Sequence, residues 1–150
     1  MESPIDQADR LGRRRLRMFF VVGIILITQQ ASFDRILDRA DGPASPAGIV
    51  LLAAWVVLVI AALAALMTGG MYFQSREVRR LMDDELSKAN RSRALAAGFV
   101  ITILIAVVVF VVSLFEDVSA PEAIHATVTV GLAGALLRFA ALERKAHTNG

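Results

Sequence analysis

Four apolar runs separated by polar punctuation make up this chain. From Met18 it reads MFFVVGIILIT and then turns polar at Gln29 and Gln30. Ala47 to Phe73 carries no charge, nor does Ala94 to Phe115, and a last run, IHATVTVGLAGALLRFAAL, reaches Leu142. A hydrocarbon core takes about 20 apolar residues to cross, so each run predicts a membrane helix. The spans fall at about 18–36, 47–73, 94–115 and 122–142. The predicted fold is all-α, an integral membrane four-helix antiparallel bundle forming a single domain over 1–150, with a charged hairpin tip at 76–93.

Local signals mark the ends. Past the bilayer the first helix is expected to continue as QQASFDRILDRAD, with Phe33, Ile36, Leu37 and Ala40 on one face, until Gly42 and Pro43 stop it. A cleavable leader is not expected, since cleavage after Ala31 would leave Gln29 where a small residue is needed. Ser45 and Pro46 read as N-cap and first helical position of the second span, and Trp55 as a packing or lipid-facing aromatic. Ser119 and Glu122 around Pro121 read as a capping box opening the fourth.

Composition agrees with a membrane setting: 56% of residues are hydrophobic and 20% charged, with a mean hydropathy of +0.60. There is no Cys, which excludes disulfides, thiolate metal sites and thiol nucleophiles. Of the 16 basic residues, 14 are Arg, a usage suggesting a GC-rich bacterial genome. Their placement predicts orientation. Arg10, Arg13, Arg14, Arg15 and Arg17 precede the first span, six more lie between Arg76 and Arg93, and Arg138, Arg144 and Lys145 lie at the C-terminal end of the last. Only Arg35 and Arg39 fall on the other side, among three Asp. Basic residues favour the cytoplasmic side, so both termini and the tip are expected there, in a bacterial inner membrane. The N-terminal cluster reads as a topological anchor, and having no interleaved aromatics it gives no reason to expect direct nucleic-acid binding.

Small residues at spacing four let membrane helices approach closely. Ala94, Gly98, Thr102 and Ala106 form such a stripe in the third span, and Ala61, Ala65 and Gly69 in the second, predicting a tight hairpin of the two. The fourth carries Thr127, Gly131 and Ala135 with Gly134 beside them. Packing within one chain is the expected use, a homo-oligomer contact the other. In the tip, the second helix is expected to run on to about Leu81, with Asp83, Asp84 and Glu85 opening the third, where the helix dipole favours negative charge, and Asp84 paired with Lys88.

Groups able to do chemistry are sparse. No phosphate loop, Ser/His/Asp set or embedded carboxylate pair occurs, so no enzyme is predicted and no cofactor or metal. His125 has no partner for a bis-histidine haem, because His147 lies in the tail expected on the opposite side of the membrane. A polar cluster of Gln29, Gln30, Asp34, Glu122 and His125 is expected at the outer interface, either as the wet rim of the bundle or as a cation or proton site.

Other four-span families differ. Small multidrug exporters depend on an acid embedded in the first span, whereas the first acid here after Met18 is Asp34; fluoride channels need a broken third span, and this one is unbroken. Asp84, Glu85, Arg91, Ala94 and Gly98, a run leading into the third span, resemble a pattern in uncharacterised small bacterial four-span membrane proteins, some of which look like partners of small DNA-binding regulators. The resemblance covers only Asp84 to Gly98 and implies no activity. The function expected is therefore a non-enzymatic interaction or regulatory module. It would present Arg79, Arg80, Asp83, Asp84, Glu85 and Arg91 to a cytoplasmic protein partner or to anionic membrane lipid. The alternative is a small oligomeric channel or transporter component using the outer polar cluster.

Overall fold

A computed structural model of the chain describes residues 4–39, 45–69 and 85–148; within them, the side chains of 4–9, 11, 30–39 and 146–148 stand outside the described set. The described residues form four helices and no strand: α1 Pro4–Arg39, α2 Pro46–Thr68, α3 Glu85–Val112 and α4 Ala120–Thr148. The all-α class follows directly from the apolar runs. Three helices, α2, α3 and Ala120–Lys145 of α4, are long and apolar enough to cross a membrane. Only 6% of the most apolar stretch of α3 and 17% of that of α2 is buried. Val100, Leu104, Val107 and Phe110 of α3, and Val50, Val57 and Ile60 of α2, are turned outward. A surface this apolar on every side is stable against lipid and not against water.

The caps expected from sequence are present. Ser45 has extended backbone and accepts a hydrogen bond at Oγ from Gly48 N–H at 3.0 Å. At α4, Ser119 N–H donates to Glu122 Oε2 at 2.8 Å while Glu122 N–H donates back to Ser119 Oγ at 3.4 Å, a reciprocal capping box. Glu85 stands in the first turn of α3.

Three boundaries differ from expectation. α1 is already helical from Pro4, so the basic cluster is part of a helix. α2 closes at Thr68: Gly69 takes φ 65°, ψ 20°, and its N–H reaches the carbonyls of Ala65 and Leu66, a left-handed stop that glycine adopts without steric cost. The expected continuation of this helix to about Leu81 falls on 70–84, outside the described residues. α3 ends at Val112, followed by turns through Phe115.

α4 is the centre. α3 and α1 lie along it for most of their shared length, and α2 touches α4 and α1 more sparingly. The core gathers Phe19 and Leu26 of α1, Ala62 and Leu66 of α2, Ala94 of α3, and Leu136 and Phe139 of α4. The predicted tight hairpin of α2 with α3 is corrected here. The α3 stripe faces α4 instead: a Cβ added to Gly98 would stand 2.6 Å from Ala135 Cβ and 3.1 Å from the Gly131 carbonyl, and one added to Gly131 would overlap the Thr102 hydroxyl. α2 cannot come as close. Its inward face is Gly48, Trp55, Ala62 and Leu66, with two bulky members, and Ala61 of its supposed stripe is exposed.

Candidate functional site

Helical spacing selects one arginine from the basic cluster. The inner face of α1 runs through Gly12, Arg15, Phe19, Gly23 and Leu26, whereas Arg10, Arg13, Arg14 and Arg17 face outward. Arg15 is only 8% exposed. On α3 the inner face runs Ser87, Asn90, Ala94, Gly98, and on α4 it runs Leu132, Leu136, Phe139, Glu143. Each series repeats at three or four residues, so the polar members continue the core seam by one more turn.

These side chains meet in a single layer. Arg15 Nη2 donates to Glu143 Oε2 in a buried ion pair and also to Ser87 Oγ at 3.3 Å. Its Nη1 donates to the Gly69 carbonyl at 3.3 Å, at the end of α2. Asn90 Nδ2 donates to the other carboxylate oxygen, Glu143 Oε1, at 3.1 Å. Beneath the guanidinium lies the Phe139 ring, 5.5 Å from its centre, and Phe19 meets that ring edge-on at 5.2 Å. The layer thus joins side chains of α1, α3 and α4 to the cap that closes α2. Both carboxylate oxygens are engaged, Oε2 by Arg15 and Oε1 by Asn90, so the arrangement suits holding the helices in place.

What it holds is notable for position. Gly69 and Ser87 stand on either side of 70–84, the stretch carrying most of the hairpin charges. A second arginine acts similarly: Arg91 Nη1 donates to the Met67 carbonyl at 2.7 Å, tying α3 to the end of α2. Of the residues expected to face a partner, Arg91 is therefore used within the protein, Glu85 is exposed, and Arg79, Arg80, Asp83 and Asp84 lie outside the described residues.

At the opposite end, Trp55 Nε1 donates to Thr129 Oγ1 at 3.1 Å, and the Trp55 ring lies 5.0 Å from the buried imidazole of His125. Of the expected outer cluster, Glu122 serves the capping box and Gln29 is half-buried, while the side chains of Gln30 and Asp34 lie outside the described residues. Among the described residues no three His, Asp or Glu side chains gather to hold a metal ion.

Sequence reasoning missed Arg15, Ser87, Asn90 and Glu143 as a set. The available signal was the seam itself, since 15–19–23–26 and 87–90–94–98 keep one helical spacing throughout. No family model matches the chain, and neither a curated protein nor a solved structure is detectably similar to it.

Proposed function

We propose that the chain is a non-enzymatic regulatory or interaction protein of a bacterial inner membrane, crossing it four times with both termini inside. Its charged segment, with Arg79, Arg80, Asp83, Asp84 and Glu85, is offered to a soluble cytoplasmic protein. The observation that carries this reading is the double attachment of Arg15 to Gly69 and Ser87. Apolar residues of similar volume often replace a buried ion pair without loss of stability, so in this reading the pair serves to fix position. Here the pair fastens both roots of one polar segment to α1 and α4. The basic balance of the same end supports its cytoplasmic placement, and the run Asp84 to Gly98 resembles that of small bacterial four-span proteins.

Crosslinking and affinity purification from native membranes tests the proposal. A soluble protein is expected at fixed stoichiometry with the wild-type chain and absent with Arg79→Ala, Arg80→Ala, Asp84→Ala combined, while the membrane level of the chain is unchanged. Enrichment of no soluble protein, or equal recovery with the variant, contradicts it. The alternative of a channel or transporter component has less to stand on. Glu122 closes its own helix cap and His125 packs against Trp55.

A further inference from the structure

A groove opens on the flank of the molecule between α1 and α4, about 690 Å³ in volume, with no residue of α2 or α3 in its wall. That volume lies within the ~300–1,000 Å³ range of small-molecule sites. Its floor is apolar, formed by Phe20 and Ile24 from α1 and Leu137 and Ala141 from α4; its rim at one end is Arg17, Arg144 and Lys145. The groove has a simple cause: α1 closes on α4 where Gly23 meets Leu137, and the small Ala140 and Ala141 leave room toward the rim.

The arrangement is polarised along the helix axes, basic at one end and apolar beyond it. Arg17 and Ile24 are seven residues apart, so the floor extends about 10 Å inward from the rim. Phe20 and Ile24 stand about half exposed along it. The rim lies level with the buried Arg15 layer, since Arg17 is two residues beyond Arg15 and Arg144 directly follows Glu143. Glu143 points inward, where Arg15 and Asn90 occupy both of its oxygens.

We infer that this groove is a binding site for an anionic phospholipid, its headgroup phosphate held by Arg17, Arg144 and Lys145 and an acyl chain laid along Phe20 and Ile24. Basic clefts between membrane helices at the cytoplasmic side select anionic headgroups, and the apolar floor distinguishes a lipid from a free phosphate. The site stands apart from the protein partner proposed above, which would contact residues outside the groove.

The test places the only tryptophan in the floor, as Phe20→Trp with Trp55→Phe, and reconstitutes the full chain in vesicles of phosphatidylcholine. Phosphatidylglycerol with brominated chains is then compared, at matched mole fraction, with brominated phosphatidylcholine as quencher. The site predicts quenching by phosphatidylglycerol at far lower mole fraction. One basic side chain near an anionic surface is worth roughly fivefold. Combining Arg17→Gln, Arg144→Gln and Lys145→Gln should therefore weaken the preference by roughly a hundredfold. Arg10→Gln, Arg13→Gln and Arg14→Gln together change net charge equally but leave the rim intact and should largely preserve it. Native mass spectrometry of the chain with Trp55 intact, retaining phosphatidylglycerol over phosphatidylcholine, gives the same answer without the tryptophan exchange. Equal quenching by both lipids overturns the inference, as does a preference lost equally in both charge variants, or a groove found covered by a second copy of the chain.

Discussion

Arg15 and Glu143 illustrate how much one buried pair can decide. Removing either partner leaves an uncompensated charge in the seam, at a cost of about 3–5 kcal/mol. Arg15→Gln or Glu143→Gln should therefore lower the thermal transition in detergent sharply, whereas Arg14→Gln, on an exposed neighbour, should shift stability by no more than about 0.5 kcal/mol. Arg15→Met with Glu143→Leu should recover most of the loss, because a matched apolar pair strands no charge; if the double variant is as unstable as the sum of the singles, the layer is not a coupled pair. Counting charges for orientation does not separate Arg15 from Arg13, Arg14 and Arg17; only the helical spacing of Arg15 with Phe19 and Leu26 does. Glu143 stands just past the last apolar run in the sequence, and its partner lies 128 positions away. Only the three-dimensional register joins them.

Helix ends and apolar cores were legible, and partners were not. Ser45, Pro46, Ser119 and Glu122 specify their helix starts through bonds made within three residues, which a linear sequence displays. The small-residue stripe of α3 was visible too, but a stripe announces close approach without naming the other helix. α4 is the partner because Gly131 and Ala135 interdigitate with Gly98 and Thr102, while the bulk of Trp55 and Leu66 keeps α2 at a greater distance. The prediction at this scale is that Gly131→Ala destabilises the α3–α4 pair by about 1–3 kcal/mol through overpacking. Adding Thr102→Ala should restore part of that loss by removing the hydroxyl the new methyl meets. A Gly131→Ala protein with an unchanged thermal transition would mean that the two helices do not pack through this face.

At the scale of the whole molecule, a charged segment is fastened at both roots to helices that turn apolar side chains outward, and the proposed function places that segment in the cytosol. The molecule's all-helical class and its apolar helices follow from composition and run length, whereas the direction of threading rests on where the arginines lie. The absence of cysteine makes that direction directly measurable, because single substitutions can be labelled without background. Met82→Cys places a thiol in the charged segment, and Asp117→Cys places one in the exposed turn between α3 and α4. A membrane-impermeant maleimide applied to intact spheroplasts should modify the Asp117→Cys protein at once and the Met82→Cys protein only after permeabilisation. Labelling of Met82→Cys from outside, with Asp117→Cys protected, would contradict the account.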